Sequence, residues 1–187
     1  MKIQYPFLSR LFFGIFLPSY RVAVVNELTP KILGELDVDA VLLDVDCTLK
    51  RYDRDTLEPW VEVWLDTLRD AKIRVCLLSN GKSQRIGEFA AKYDLPYVAM
   101  ALKPSPFGCL IAIRREGWQR KNTAMIGDQI FADVMAGNLA GLKTVLVTPI
   151  HPEMEPLFTR IKRPFEKIIM KLIPTPSRTQ TQCERES

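Results

Sequence analysis

The chain has 187 residues, of which 47% are hydrophobic and 26% are charged, and its formal net charge is +4. This composition is that of an ordinary globular protein, and the length fits one domain with short appendages. The four cysteines lie far apart with no Cys-x-x-Cys pair, which argues against a zinc site or a disulfide framework and fits a reducing compartment.

The positive charge is concentrated at the two ends of the chain. Residues 1–22 carry a net charge of +3 and residues 157–187 a net charge of +4, whereas residues 23–156 sum to −3. This pattern favours ends that meet an anionic surface over a nucleic-acid groove in the body. Basic ends that are merely solvated are the alternative interpretation.

No segment approaches the roughly 20 apolar residues that a membrane-spanning helix needs. The longest apolar run, residues 7–17, is interrupted by Arg10. No cleavage site of small residues follows it closely, so we do not expect a secretory signal.

Strand and helix patterns alternate along the body of the chain. They predict, in order, a strand at 40–43, a helix opening at Pro59, a strand at 73–78, a helix over about 82–93, a short strand within 97–102, a helix from Pro106 to Gly117, a strand at 123–126, a helix ending at Gly141 and a strand at 144–147. The sixth of these elements is expected to bury Phe107, Leu110 and Ile111, and the eighth Ile130, Phe131, Val134, Met135 and Leu139. The alternation predicts an α/β fold with a parallel sheet of about five strands, covered by helices on both faces.

Four polar residues follow directly after predicted strands: Asp44, Ser79, Lys103 and Asp128. Ligands of open α/β sheets bind beyond the carboxyl ends of the strands, so these side chains are expected to meet at one edge. One such residue would mean little, because Asp and Ser commonly start loops. Four of them together predict a functional site.

The acids at this edge suggest phosphoryl chemistry with a metal ion. Asp44 and Asp46 alternate along an extended segment, so both carboxylates can face one ligand. Their mutual repulsion calls for a cation or a shared proton, and a hard cation, preferably Mg²⁺, held together with Asp128 would resolve it. One carboxylate can attack phosphorus and the other can serve as general acid and base, while Lys103, Ser79 and Thr48 neutralise the phosphoryl charge.

These motifs resemble those of the haloacid dehalogenase (HAD) superfamily phosphatases. The matching residues are Asp44-x-Asp46-x-Thr48, Ser79-Asn80, Lys103-Pro104 and Gly127-Asp128-x-x-x-x-Asp133. The resemblance implies a Rossmann-like fold in which Asp44 is nucleophile and metal ligand. It also implies that Asp46 is the general acid and base and binds the metal through its backbone carbonyl, and that Asp128 completes the metal site with support from Asp133. Thr48, Ser79, Asn80 and Lys103 are then the phosphate-binding residues.

Other interpretations of single residues are weaker. Cys109 and Arg115 have the Cys-x5-Arg spacing of cysteine phosphatases, but the residues between them form an apolar helical pattern instead of a phosphate loop. His151, the only histidine, could line the site or be an ordinary loop residue. A protein that keeps the fold without the chemistry is a third alternative, although all four key charged residues are present.

The sequence between the motifs has no room for a cap domain, so the site is expected to be open and to suit a large substrate. Two apolar stripes at helical spacing flank the body, and the second runs beside a basic face. The first stripe is Leu8, Leu11, Phe12, Ile15 and Phe16; the second is Leu157, Phe158, Ile161, Phe165, Ile168, Ile169 and Leu172; the basic face is Arg160, Lys162, Arg163, Lys167 and Lys171. Such segments are typical of helices in an anionic membrane interface, and Pro164 is expected to divide the second into two short helices. The alternative is that either stripe packs on the domain's own core or on a second subunit.

An open HAD site with interfacial ends resembles the YqeG-like, class IIIA HAD phosphatases, and the leader Leu28-Thr29-Pro30 and Gly127-Asp128-Gln129 agree with this. That resemblance implies a cytoplasmic, peripherally membrane-associated enzyme that dephosphorylates phosphatidylglycerophosphate. The alternative is a phosphatase of soluble metabolites or phosphoproteins whose stripes form an oligomer interface. We expect an N-terminal amphipathic segment at 1–22, a phosphatase domain at 23–152, basic amphipathic helices at 153–173 and a disordered tail at 174–187.

Overall fold

Six parallel strands form one sheet in the computed structural model, which describes residues 13–154 and 157–172. The strands are β1 (Tyr20–Arg21), β2 (Ala40–Leu43), β3 (Arg74–Leu78), β4 (Tyr97–Val98), β5 (Thr123–Gly127) and β6 (Lys143–Leu146). Their order in the sheet is β1-β6-β5-β2-β3-β4. The predicted α/β fold is confirmed. The strand beyond the expected five is β1, whose two residues are too few to give a periodic signal.

The part of the chain that the structure describes contains these α-helices: α1 (Pro30–Glu35), α2 (Pro59–Asp70), α3 (Ser83–Lys92), α4 (Phe107–Glu116), α5 (Met135–Ala140) and α6 (Leu157–Leu172). Thr29 caps α1 by accepting a hydrogen bond from the Ile32 N–H. Gly117 and Gly141 end α4 and α5 with φ values of +68° and +74°, a left-handed conformation that glycine adopts without strain.

Alternate residues of the central strand β2 point into two separate hydrophobic cores. Val41 and Leu43 join Trp64 and Leu68 of α2 on one face. Leu42 joins Cys109 of α4 on the other face, together with Ala136 of α5. The sheet is therefore covered on both sides, and the loops at its carboxyl edge are the elements left to form a site.

The faces of α4 and α5 differ from the sequence expectation. Phe107, Ile111 and Leu139 are exposed, although each was expected to be buried. The buried side of α4 consists of Gly108, Cys109, Ala112 and Ile113, and a Cβ at Gly108 would lie only 2.7 Å from Ala101 Cβ. A large side chain would not fit where the helix approaches Ala101 so closely, and Phe107 and Ile111 face outward.

The C-terminal helix α6 runs through Pro164 without a break, so the prediction of two short helices is wrong. An internal proline removes a hydrogen bond and weakens a helix by about 3 kcal/mol. Residues on both sides of Pro164 bind the domain, Arg163 through Asp128 and Glu166 through the Phe131 N–H, and these contacts hold the helix together.

Parts of both predicted stripes lie outside the described residues. These parts are Leu8, Leu11 and Phe12 and the side chains of Leu157, Phe158 and Leu172. The expected tail at 174–187 also lies outside the described residues. In the described part of the N-terminal stripe, Phe16 packs on Phe131 with ring centroids 5.5 Å apart. None of the helices described for 13–154 and 157–172 has the length and apolarity to cross a bilayer.

Candidate active site

The carboxyl edge of the sheet brings together Asp44, Lys103, Asp128 and Asp133, all of them buried. Asp44 follows β2 and Asp128 follows β5, and these two strands are hydrogen-bonded neighbours. One carboxylate oxygen from each of Asp44, Asp128 and Asp133 lies within 4.8 Å of the others. The predicted meeting of residues from separate strand ends is therefore observed for Asp44, Lys103 and Asp128, and Asp133 joins them from a helical turn.

Lys103 is the hydrogen-bond donor at the centre of the site. Its Nζ donates to Asp44 Oδ1 at 2.5 Å, to Asp133 Oδ1 at 2.7 Å and to the Leu78 carbonyl at 2.9 Å. Burial lowers the pKa of this ammonium, but Asp133 and Asp44 raise it by more, so the net pKa is above its ordinary value. Lys103 therefore stays charged in the buried site.

The two oxygens of Asp44 have different surroundings. Oδ1 is held by Lys103, whereas Oδ2 is buried and receives no hydrogen bond from the described residues. Burial raises the pKa of Asp44 well above its ordinary value; Lys103 lowers it, and Asp133 and Asp128 raise it further. An unsatisfied buried carboxylate oxygen of this kind is suited to binding a cation or to acting as a nucleophile.

Asp128 contacts residues from two distant parts of the chain. Its Oδ1 accepts a hydrogen bond from Thr48 Oγ1 at 3.0 Å, and its Oδ2 pairs with Arg163 of α6. Arg163 also donates to the Asp128 carbonyl at 2.7 Å and to Glu166 Oε2 at 3.0 Å. The C-terminal helix is thus joined directly to the acidic cluster.

Asp133 sits in a π-helical turn, Ile130–Val134, which precedes α5. Its Oδ2 accepts a hydrogen bond from the Gln129 N–H at 3.0 Å, and its Oδ1 accepts from Lys103. A Cβ at Gly127 would lie 2.3 Å from the Asp133 carboxyl carbon. Glycine at the end of β5 is therefore what allows Asp133 to approach the cluster.

Asp46 lies apart from the three clustered carboxylates and is bound by two cations. Arg85 donates to its Oδ1 at 2.9 Å and to its Oδ2 at 2.5 Å, and Lys50 Nζ lies 2.9 Å from Oδ1. Burial raises the pKa of Asp46, but the hydrogen bonds from Arg85 and the charge of Lys50 lower it to below its ordinary value.

Ser79 and Asn80 shape the loop after β3. Ser79 Oγ accepts a hydrogen bond from the Gly81 N–H at 3.0 Å. The Asn80 side chain donates to the Lys103 carbonyl at 2.9 Å and accepts from the Lys103 N–H at 2.8 Å. Asn80 thereby positions the backbone of Lys103, and direct phosphate binding by either residue stays a prediction.

The sequence left the roles of two residues open, and in the structure neither has the surroundings of a catalytic group. Cys109 is buried in α4, and burial raises the pKa of its thiol to about 12, which disfavours a thiolate nucleophile. His151 is exposed, with Nδ1 2.8 Å from Glu153 Oε1. It is a loop residue paired with its neighbour.

Three cations at the site were not identified from the sequence: Lys50, Arg85 and Arg163. Lys50 and Arg85 belong to no motif, and Arg163 was assigned to the basic face of the C-terminal helix. Its neighbours Arg160 and Lys162 carry the same charge, so spacing alone does not single it out. The spatial proximity of their partners is the information that the sequence lacks.

A family model for HAD-hydrolase-like proteins matches residues 101–149, which include Lys103, Asp128 and Asp133. The chain is also 30% identical over 158 residues to the probable phosphatase YqeG of Bacillus subtilis (strain 168), covering 84% of this chain and 91% of the relative. The chain therefore belongs to the HAD superfamily of phosphatases, in its YqeG-like family. The prediction of a HAD-type phosphatase is confirmed.

Two solved structures share the fold at low sequence identity. The 4-nitrophenylphosphatase of Thermotoga maritima is 16% identical with a TM-score of 0.51, covering 63% of this chain and 90% of that chain. The 3-deoxy-D-manno-octulosonate 8-phosphate phosphatase of Moraxella catarrhalis, solved with magnesium, phosphate and KDO, is 14% identical with a TM-score of 0.50. That match covers 75% of this chain and 91% of the Moraxella chain.

Proposed function

We propose that the protein is a Mg²⁺-dependent phosphomonoesterase that works through an aspartyl-phosphate on Asp44, and that its substrate is phosphatidylglycerophosphate. The observation that carries the mechanism is the asymmetry of Asp44, with Oδ1 held by Lys103 and Oδ2 buried and unsatisfied. A carboxylate with one oxygen fixed presents the other in a defined direction, as a nucleophile must.

The donor set fits Mg²⁺. The three clustered acids offer hard oxygen donors that lie within 4.8 Å of one another, the kind of ligand that this cation prefers. Asp44 and Asp128, with the backbone carbonyl of Asp46, would hold the ion, while Asp133 would hold Lys103. When bound, Mg²⁺ neutralises charge on the transferring phosphoryl group. The Moraxella phosphatase of similar fold was solved with magnesium and phosphate, the same pair of ligands.

The chain's own residues account for two balanced steps. In the first, a bond forms between Asp44 Oδ2 and phosphorus, the ester P–O bond breaks, and Asp46 gives a proton to the leaving oxygen. In the second, Asp46 takes a proton from water, the water oxygen bonds to phosphorus, and Asp44 is released. Lys103 lies against the nucleophile throughout and stabilises the phosphoryl charge.

No cap domain is inserted between the loop that starts at Asp44 and the end of β3. Residues 44–79, all of which are described, form a loop, α2 and β3, and contain no cap domain. An uncapped site suits a phosphate on a large object, such as a lipid headgroup in a bilayer.

The outer face of α6 supports the lipid assignment. Ile161, Phe165 and Ile168 are 65%, 60% and 54% exposed and follow helical spacing. Arg160, Lys167 and Lys171 are exposed on the same helix. An apolar stripe beside basic residues fits an anionic lipid surface, while Arg163 joins the inner face of this helix to Asp128. We propose a peripheral membrane location on this ground.

Phosphate release from phosphatidylglycerophosphate in mixed micelles, with Mg²⁺ and with excess EDTA, tests the function. We expect turnover with Mg²⁺ and its loss in EDTA. Good turnover of soluble phosphate esters with none of the lipid would contradict the lipid assignment and favour a phosphatase of soluble substrates.

Substitution of Ile161, Phe165 and Ile168 by serine tests the surface. We expect this triple variant to lose most binding to vesicles containing phosphatidylglycerol while its turnover of 4-nitrophenyl phosphate stays near wild type. The matched control places serine at Val63, Ile111 and Leu139, which are exposed apolar residues of α2, α4 and α5. A change of oligomeric state in the α6 variant, with unchanged vesicle binding, would assign the stripe to self-association.

A further inference from the structure

The carboxylate of Asp46 is occupied by Arg85. The guanidinium forms two parallel hydrogen bonds to Oδ1 and Oδ2, the arrangement that gives arginine–carboxylate pairs their directionality. While this pair holds, Asp46 Oδ2 is unable to reach a leaving oxygen. The general acid step therefore requires Arg85 to move.

The two cationic side chains at Asp46 differ in how freely they can move. Lys50 is fully buried, and its Nζ also donates to the carbonyls of Arg51 at 3.2 Å and Arg54 at 2.5 Å. The Arg85 side chain is 36% exposed. If Arg85 swings away, Lys50 still neutralises Oδ1 and Oδ2 becomes accessible. Lys50 is the fixed partner of Asp46 and Arg85 the movable one.

Gly81 provides the space that Arg85 occupies. A Cβ at this position would lie 2.5 Å from the Arg85 Nη2 atom. Gly81 follows Ser79 and Asn80 in the loop after β3, so Arg85 passes this loop on its way from α3 to Asp46. A leaving group that approaches Asp46 meets the guanidinium.

We propose that Arg85 is a specificity-determining residue that leaves Asp46 to bind a second anionic group on the leaving group of the substrate. This inference rests on the proposed role of Asp46 as general acid. A leaving group with a phosphodiester or carboxylate replaces the bidentate partner that Arg85 gives up, because a guanidinium matches both anions. A neutral leaving group offers no replacement, and Arg85 stays on Asp46.

The substrate class that follows is a phosphomonoester whose leaving group carries another anion close by. Phosphatidylglycerophosphate belongs to this class, since its leaving group is a phosphodiester. The exchange of partners by Arg85 would couple recognition of that anion to the release of Asp46, the proposed general acid.

Binding to the Asp44→Asn variant tests the inference without turnover. Calorimetric titration in Mg²⁺ would compare 3-phosphoglycerate with glycerol 3-phosphate, which differ by a carboxylate in place of CH₂OH. We expect 3-phosphoglycerate to bind more tightly by up to about tenfold, because the new pair with Arg85 is partly offset by the loss of the Arg85 pair with Asp46. Adding Arg85→Gln should reduce this ratio to near one, and Arg85→Lys should retain part of it.

The control is Arg69→Gln, which removes the same charge from an exposed arginine on α2 that pairs with Asp66. It should leave the affinity ratio unchanged. A ratio that survives Arg85→Gln, equal affinities in the parent, or no binding of either ligand would overturn the inference. If the enzyme did not hydrolyse the lipid but the affinity ratio still depended on Arg85, only the lipid assignment would be contradicted.

Discussion

Lys103 makes the two oxygens of Asp44 unequal. Its three hydrogen bonds are all to buried acceptors, so its position is fixed by Asp133 and the Leu78 carbonyl as well as by Asp44. A buried ammonium without such partners would lose its proton, since burial disfavours the charged form. The acid Asp133 is therefore what allows a charged lysine to stand beside the proposed nucleophile.

Asp44→Asn should lower turnover by several orders of magnitude, because an amide is unable to form the aspartyl-phosphate. Asp46→Asn should lower it by only about 10²–10⁴-fold, the usual worth of general acid and base catalysis. The Asp46 effect should be smallest with 4-nitrophenyl phosphate, whose leaving group needs no proton. Steady-state kinetics of both variants check this. Near-normal turnover of Asp44→Asn would favour a metal-activated water held between Asp46 and Asp128.

Asp44→Asn should also change how stability depends on pH in EDTA. The folded pKa of Asp44 is raised above the ordinary value of 3.8, so the folded state binds this proton more tightly than the unfolded state does. The wild type therefore loses stability as the pH rises from about 3.8 through the folded pKa, and the amide does not. We expect the variant to melt a few degrees higher at pH 7, with the difference vanishing near pH 4.

Thermal melts between pH 4 and pH 8 check this expectation. Asp66→Asn, which changes an exposed aspartate of α2, is the control. The difference between its melting temperature and that of the wild type should not grow with pH. A wild type that is more stable than Asp44→Asn at pH 7 would show that Lys103 outweighs the burial of the carboxylate.

At the residue scale, the sequence was informative where a side chain follows a strand. Asp44, Lys103 and Asp128 could be assigned to one edge because parallel strands end together. Arg85 and Lys50 could not be assigned in this way. Their contacts with Asp46 depend on how far two long side chains reach, that of Arg85 from α3 and that of Lys50 from beside the first motif. Which Asp44 oxygen Lys103 holds also depends on three-dimensional packing.

At the scale of elements, α6 is attached to the domain through charged groups as well as apolar ones. Arg163 and Glu166 bridge to Asp128 and to the Phe131 N–H, and Ile169 and Met170 pack on Ile130, Val134 and Leu146. The helix therefore has an inner face bound to the site and an outer apolar face.

Arg163→Gln should loosen α6. A hydrogen bond to a charged group contributes about 1.5–3 kcal/mol, so its loss should speed amide hydrogen exchange in residues 160–171 by about tenfold or more. Lys167→Gln, which alters an exposed residue of the same helix, should leave the exchange rates close to wild type. Equal exchange in both variants would mean that the apolar contacts alone hold α6.

Gly127→Ala should damage both stability and activity, because its Cβ would overlap the Asp133 carboxyl. We expect a loss of about 1–3 kcal/mol, typical of overpacking in a buried site, and a large fall in turnover as Lys103 loses its alignment. The control is Gly34→Ala in α1, whose Cβ would meet nothing within 4 Å. It should stabilise the helix slightly. Denaturant unfolding and phosphatase assays check both variants.

Element types were predictable from periodicity, but the orientation of helices was less so. Val61, Trp64, Leu65 and Leu68 of α2 are buried as their spacing indicates. Phe107 and Ile111 of α4, in contrast, face outward. Close packing of Gly108 against Ala101 decides that orientation, and helical periodicity contains no information on interaxial distance. The π-helical turn that carries Asp133 likewise reads as ordinary helix in the sequence.

At the scale of the whole molecule, the order of the strands sets the location of the site. The acid-bearing strands β2 and β5 lie side by side in the middle of the sheet, flanked by β3 and β6. Residues at their ends are therefore surrounded by loops on all sides, which allows three carboxylates to be buried although residues 44–79 contain no cap domain.

The sheet also ends in two very short strands, β1 and β4, of two residues each. A long edge strand offers a row of unpaired N–H and C=O groups on which another chain can add a strand, which is a common route to aggregation. Short edges leave little backbone for such pairing. Copies of this phosphatase at high local concentration would therefore be protected from fusing their sheets, so crowding need not lead to misassembly.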